Sequence, residues 1–114
     1  MIPQVLLSML LAAPSSAPPP NPNVQRLAFS RCLGEVVSTD LRAGVEPAAF
    51  RAKLPTLCKE QEEAFRQASV RSDLAIGIKA AAAQQNAANE IKDIVDTQAE
   101  RYAGYAETKT LPKQ

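Results

Sequence analysis

The chain contains two cysteines, Cys32 and Cys58, and no histidine. Because only one pairing is possible, an oxidising compartment would join them in a single disulfide. A redox-active pair is a weaker interpretation, since such cysteines usually lie close in sequence, as in Cys-x-x-Cys, with a partly exposed thiol in positive surroundings. A zinc site is weaker still, because two thiolates leave two coordination positions to carboxylates or to a second chain. We therefore predict a structural disulfide and no metal or other cofactor.

The carboxylates that could do acid–base or metal chemistry form two groups, Glu60, Glu62 and Glu63, and Asp93, Asp96 and Glu100. The first group lies where a helix is expected to begin, and the helix dipole favours acidic side chains there. The second adjoins Lys92 and Arg101, and nothing supplies a second ligand set for calcium or magnesium. The sequence also lacks a glycine-rich phosphate loop and a Gly-x-Ser-x-Gly nucleophile motif. We interpret the first group as acidic side chains at a helix start and the second as a solvated helix face, and we expect no enzymatic activity.

The charges of the chain are balanced. It has 13 basic and 12 acidic residues, a net charge of +1, and the two signs are interleaved. This balance creates no basic field for nucleic acid and no polybasic segment for a membrane surface. The absence of histidine also excludes a histidine-containing catalytic triad and histidine metal ligands in this sequence. We expect no nucleic-acid partner.

Residues 1–17 have the pattern of a cleavable signal peptide. Residues 2–13 are apolar apart from Gln4 and Ser8, and small residues and prolines follow at once. The apolar run is shorter than the roughly 20 residues that a transmembrane helix needs. No basic residue precedes it, and cleavage is expected after Ala17 or one residue earlier. The pattern predicts export to the periplasm or secretion, with no stable membrane insertion once the signal peptide is removed.

A proline-rich polar spacer, residues 18–23, is expected to follow, because its composition favours extended structure and cannot bury a core. The first helix then begins with either Asn21 or Asn23 as its N-cap. Its apolar residues recur at three- and four-residue steps. Gly44 should end it, since glycine tolerates the left-handed conformation, and Pro47 suits the first turn of a second helix.

The two cysteines are placed symmetrically about this turn. Cys32 lies eleven residues before Ala43, and Cys58 lies eleven residues after Pro47. At 1.5 Å per residue, each is roughly 16 Å from the turn along its own helix. In an antiparallel hairpin the two would be level and could bring their Cα atoms within the roughly 7 Å that a disulfide requires. The sequence therefore predicts an all-α fold built on an antiparallel helical hairpin linked by Cys32 and Cys58.

From Leu57 to about Thr108 the pattern predicts one long helix or two nearly collinear ones. Pro55 predicts a kink or a short break just before it, because proline removes a backbone hydrogen bond. Gly77 is the expected weak point within it. Residues 24–108 would form a single helical domain, followed by a flexible tail, residues 109–114.

The end of this helix carries an apolar stripe that must be buried against another surface. It consists of Ile91, Ile94, Val95, Tyr102 and Tyr105 at near-heptad spacing. On a straight helix the stripe would lie beyond the reach of the first helix. Three covers stay open: folding back at Gly77 as a third helix, pairing with a second copy of the chain, or docking on a protein partner. Tyrosine suits a contact surface, because it has an apolar body and a polar tip.

Two functions are compatible with these features. The favoured one is a non-catalytic interaction protein of the periplasm or cell envelope, with an adaptor-like or chaperone-like role carried out through the stripe. The alternative is a carrier that opens between its helices to hold a small apolar molecule.

Overall fold

A computed structural model describes residues 21–112, and its regular structure is entirely helical. The elements are α1 (Pro22–Ala43), α2 (Pro47–Lys53), a short 3-10 turn (Leu54–Thr56), α3 (Lys59–Ala75) and α4 (Ala80–Thr108). The predicted all-α fold is confirmed. The predicted signal peptide, residues 18–20 of the spacer and the end of the tail lie outside the described residues. None of the described helices combines the length and apolarity needed to cross a membrane.

Both ends of α1 have capping residues that the sequence predicts. The side chain of Asn21 accepts a hydrogen bond of 3.0 Å from the backbone N–H of Asn23, and Pro22 occupies the first helical position. The helix thus begins at the earlier of the two predicted starts, and it includes the last two residues of the predicted spacer. At the other end Gly44 has φ 72°, a left-handed conformation that glycine adopts without a steric penalty.

The disulfide between Cys32 and Cys58 is confirmed. It joins the middle of α1 to the start of α3, with 6.0 Å between the two Cα atoms. Cys58 is the N-cap of α3 and has φ 54°, which is uncommon for a residue that carries a Cβ atom. The cross-link therefore also holds one residue in a strained backbone conformation.

The break expected at Pro55 takes the form of the 3-10 turn. Its backbone bends the chain from α2 into α3, and Leu57 donates a hydrogen bond of 3.1 Å to the carbonyl of Leu54. Leu54 itself is 1% exposed and belongs to the core. Proline has no N–H to continue the α2 ladder, so a tighter turn replaces it.

The chain folds back at Gly77, so α3 and α4 are neither continuous nor collinear. Gly77 has φ 87°, and the N–H groups of residues 76–78 bond to the carbonyls of Asp73 and Leu74. The side chain of Asn86 on α4 then donates a hydrogen bond of 3.1 Å to Asp73 on α3. The sequence left three ways to bury the apolar stripe of α4. The structure shows the first of them, because α4 folds back as a third helix on the same chain.

The main core lies where α1, α2, α3 and α4 meet. Its buried members are Phe29, Leu33, Val37, Phe50, Leu54, Phe65, Ile91, Ala99 and Tyr102. A second, smaller cluster lies between α3 and the first turns of α4 and consists of Val70, Ala83 and Ala87, with Ile78 partly buried beside them. Alanine allows the two helices to approach closely, but it buries little apolar area.

Arg26 holds the first turns of α1 against both other long helices. Its guanidinium carbon lies 5.1 Å from the centre of the Phe65 ring on α3, and its terminal nitrogen lies 2.8 Å from a carboxylate oxygen of Glu90 on α4. A guanidinium over an aromatic face is attracted by the ring quadrupole. One side chain thereby sets the level at which α1 begins along the α3–α4 pair.

Removing the cross-link is expected to destabilise the bundle. Because 26 residues separate the cysteines, the chain-entropy model gives about 3.5 kcal/mol for the loss of the disulfide. Urea unfolding of the Cys32→Ser/Cys58→Ser variant, compared with the oxidised protein, measures this loss. A reductant should lower the stability of the parent protein and leave the variant unchanged. Equal stabilities of the oxidised protein and the variant would contradict the structural role.

The strained backbone at residue 58 gives this experiment a matched control. Cys32→Ser/Cys58→Gly also lacks the cross-link, but glycine adopts φ 54° without strain. We expect this variant to be more stable than Cys32→Ser/Cys58→Ser by about 1 kcal/mol. If glycine were no better than serine, residue 58 would not keep its left-handed conformation once the disulfide is absent.

Candidate functional site

The stripe predicted as an interaction surface lies against the core. Ile91 and Tyr102 are buried among the core residues, whereas Ile94, Val95 and Tyr105 are partly buried and pack against them. The cover is supplied by α1 and α2 of the same chain. The structure therefore brings all five predicted residues together, but as part of the packing of α4.

Tyr102 has the most constrained surroundings of these residues. Its ring stacks on Phe50 with 3.9 Å between the ring centres, and its hydroxyl donates a hydrogen bond to the carbonyl of Val45 in the α1–α2 turn. Burial raises the pKa of the Tyr102 hydroxyl above its ordinary value, and the negative charges of Asp40 and Glu46 add to this effect. The side chain thus ties α4 to the turn.

Three carboxylates of the two groups, Glu62, Glu63 and Asp96, pair with neighbouring cations. Glu62 is nearly buried on α3, and its carboxylate lies 2.8 Å from the amine of Lys59. On α4 the amine of Lys92 lies 2.6 Å from the carboxylate of Asp96, a contact that lowers the pKa of Asp96 and raises that of Lys92. Within residues 21–112 there is no cluster of three or more acidic, cysteine or histidine side chains that could hold a metal ion.

Two ion pairs between helices were missed by sequence reasoning, the Arg26–Glu90 pair described above and one that involves a buried carboxylate. Asp40 on α1 is buried and pairs with Lys53 at the end of α2. The signal for it was present, because Asp40 follows Leu33 and Val37 at helical spacing and so falls on the apolar face of α1. A buried carboxylate needs a partner, and Lys53 supplies it next to the Tyr102 contact.

The α3–α4 pair extends past the beginning of α1. From the level of Arg26, α3 continues ten residues beyond Phe65, and α4 begins ten residues before Glu90, which is about 15 Å in each case. The four residues of α1 before Arg26 cover only about 6 Å of this length. Within residues 21–112, therefore, no third helix lies on the last turns of the α3–α4 hairpin, and only the small alanine-rich cluster lies between α3 and α4 there.

Exposed apolar side chains concentrate at this end of the bundle. Among the described residues, four of the five large exposed apolar side chains lie toward this end: Leu74 and Ile76 on the α3–α4 hairpin, and Val24 and Leu27 on the first two turns of α1. We call these four residues the apolar end. Ile76, at 76%, is the most exposed, and it lies in the α3–α4 turn, where polar residues are usual. Grouped exposed apolar residues of this kind mark interaction sites more often than scattered ones.

At the opposite end, a surface depression of about 300 Å³ lies beside the α1–α2 turn. It is lined by Leu41, Val45, Tyr105 and Leu111, together with Glu46 and Lys109. Its wall includes the partly buried Tyr105 and the chain that leaves α4 through the left-handed Lys109. A small molecule could contact the bundle here without parting the helices.

Comparisons with protein-family models, with curated proteins and with solved structures gave no match to this chain. The geometry of the described residues therefore carries the functional argument. Sequence reasoning could not find the apolar end. Val24 and Leu27 have the three-residue spacing expected of the apolar stripe of α1, and the exposure of Ile76 depends on where α4 turns back.

The raised pKa of Tyr102 predicts a specific loss of stability in alkaline solution. In the unfolded chain tyrosine ionises near pH 10, whereas folded Tyr102 keeps its proton to higher pH. Its contribution to stability is thus complete below the unfolded pKa and is lost as the pH rises through the folded pKa. In a Tyr105→Phe background, the absorbance titration of Tyr102 should have its midpoint above that of free tyrosine. A midpoint equal to that of free tyrosine would contradict the buried environment.

Two isoleucines test the division between core and apolar end. Ile76→Ser should change the free energy of unfolding by no more than about 0.5 kcal/mol, because the side chain is exposed. Ile91→Ala should cost about 2–5 kcal/mol, because Ile91 is buried in the main core. Urea unfolding measures both. A loss for Ile76→Ser as large as that for Ile91→Ala would show that Ile76 is packed rather than exposed.

Proposed function

We propose that this chain is an exported, non-catalytic helical module that binds another protein through its apolar end, in an adaptor-like or chaperone-like role. The observation that carries the proposal is the exposure of Ile76, Leu74, Val24 and Leu27 toward one end of a bundle whose other large apolar residues, within residues 21–112, are buried or half-buried except Leu111. Burying such side chains against a partner is favourable by about 25 cal/mol per Å² of apolar area.

Export is supported by two independent features. The disulfide belongs to an oxidising compartment, since cytosolic thiols are normally kept reduced. The apolar run at residues 2–13, followed by small residues and prolines, has the pattern of a signal peptide. Together they favour the periplasm or the exterior as the place where a partner is met.

The arrangement of the charged side chains favours a non-catalytic role. Apart from Glu90, which pairs with Arg26 on α1, the carboxylates on α3 and α4 that pair with lysines or arginines do so with a residue three or four positions away on the same helix. A general acid or base needs a shifted pKa in a cleft, and these side chains lie on helix faces. A binding role requires only that the apolar end is exposed and has a shape that a partner can fit.

The carrier alternative, in which a small apolar molecule is held between the helices, would require the helices to separate. Phe29, Leu33, Phe50 and Tyr102 fill the space between them and are fully buried. Each would have to leave its packed position, and the disulfide holds α1 against the start of α3. Protein binding at a surface that is already exposed involves neither cost, so we favour it.

Site-specific photo-crosslinking in the producing organism tests this function. A photoreactive phenylalanine derivative replaces Ile76 in one variant and Leu74 in another, with the exposed Ala103 on α4 as the matched control. We expect the same discrete protein adduct from positions 74 and 76 and none from position 103. No adduct at the apolar end, or an equal pattern from position 103, would contradict the proposal.

The mass of the recovered protein tests export in the same experiment. Intact mass spectrometry of the exported fraction, with and without reductant, should show a chain shortened near Ala17 with both cysteines oxidised. A full-length chain with free thiols would remove the export part of the proposal. The crosslinked adduct from position 76 is detected separately from this mass. Export and protein binding can therefore be contradicted independently of each other.

A further inference from the structure

A shallow groove runs along the outer surface of α1, bordered by α4 over part of its length and by Pro112, which follows α4, over the rest. It consists of three adjoining depressions: a central one of about 260 Å³ that shares residues with both others, a larger one of about 820 Å³ toward the end of α1, and a third of about 260 Å³ around Asp93. Ser30, Gly34 and Gln98 lie along its floor. We call it the α1–α4 groove.

At Gly34, on the floor of the groove, no side chain covers the backbone of α1. Gly34 lies in the middle of a 22-residue helix, where glycine is less favourable than alanine. A Cβ atom built on Gly34 would meet no other atom within 4 Å, so packing inside the chain does not require glycine there. An approaching segment can therefore reach the backbone of α1 at this point.

Arginines surround the groove. Arg31, Arg42 and Arg101 line it, and none of the three takes part in an ion pair among the described residues. Arg31 and Arg101 both line the central depression, which has no acidic residue in its wall. The acidic residues of the groove, Glu35 and Asp93, lie one in each outer depression.

We propose that the α1–α4 groove binds an acidic segment of a partner protein, with its carboxylates on Arg31 and Arg101. Guanidinium groups bind carboxylates through paired hydrogen bonds in a matching plane, and these two have no competing partner within residues 21–112. Glu35 and Asp93 flank the central depression. They would repel a continuous polyphosphate but leave room for a few spaced carboxylates, so the charge pattern favours a peptide over a nucleic acid.

This proposal does not depend on binding at Ile76. The groove shares only Leu27 with the apolar end. A partner could use both surfaces, but each has its own test. If no photo-crosslink formed at positions 74 and 76, the groove proposal would be unaffected. If the groove bound no acidic peptide, the proposed binding at the apolar end would likewise be unaffected.

Fluorescence anisotropy with a model peptide tests the groove. The probe is a fluorescein-labelled peptide of repeating Glu-Ala-Ala-Ala units, and the same peptide with Gln in place of Glu is the probe control. Titrations of the oxidised full chain are made at about 0.01 M salt, where charges interact over roughly 30 Å. We expect binding of the Glu peptide that weakens as salt is added, and no binding of the Gln peptide.

Matched charge reversals locate the binding. Arg31→Glu/Arg101→Glu should weaken binding by about tenfold or more. Arg51→Glu/Arg71→Glu makes the same change in net charge outside the groove and should weaken binding clearly less than the groove reversal does, because these arginines do not line it. Gly34→Leu fills the open floor and should also weaken binding, with the helical circular dichroism and the melting temperature retained.

Three results would overturn the proposal. The groove reversal could bind the Glu peptide as well as the parent chain does. The control reversal could lose as much binding as the groove reversal, which would indicate net charge alone. A single-stranded oligothymidylate could displace the peptide with the same dependence on Arg31 and Arg101, which would identify a phosphate backbone as the favoured ligand.

Discussion

The register of the whole bundle depends on the bond between Cys32 and Cys58. It fixes the middle of α1 at the level where α3 begins, with 6.0 Å between the two Cα atoms. From that point α3 runs back along the first half of α1, so Phe65 comes to lie under Arg26. A shift of one helical turn would separate this pair by about 5 Å and would misplace the Glu90 contact as well. The covalent constraint therefore decides which residues of α1 can meet α3 and α4.

Two contacts then locate α4 on this frame. Near the middle of α4, Glu90 meets Arg26, and closer to its end Tyr102 stacks on Phe50 and bonds to the carbonyl of Val45. Between these points Ile91 and Ala99 face the core. The polar contacts are specific in direction, whereas the apolar ones supply most of the buried area. The combination holds a long helix in one register although its first turns carry little besides alanine.

Much of the helical framework could be predicted from the sequence, because its signals are local. Gly44 and Pro55 mark chain breaks through their own backbone chemistry, and the cysteine pair follows from their number and spacing. The direction of α4 could not be predicted, since Gly77 is compatible with a weak point in a straight helix and with a reversal. The exposed surfaces were harder still. Whether Ile76 is buried depends on the position of α1 beyond the turn, which is a tertiary property that periodicity does not contain.

The apolar end is a consequence of unequal helix lengths. α1 has 22 residues and α4 has 29, so about 10 Å of α4 must extend past one end of α1. The contact between Tyr102 and the α1–α2 turn keeps the end of α4 close to the end of α1, and the disulfide sets α3 in the matching register. The excess length therefore falls at the α3–α4 turn, where Leu74 and Ile76 lie. To cover them within the chain, α1 would have to begin about two turns earlier. The same contacts that stabilise the bundle thus leave these side chains exposed, and a partner can bury them without rearranging the core.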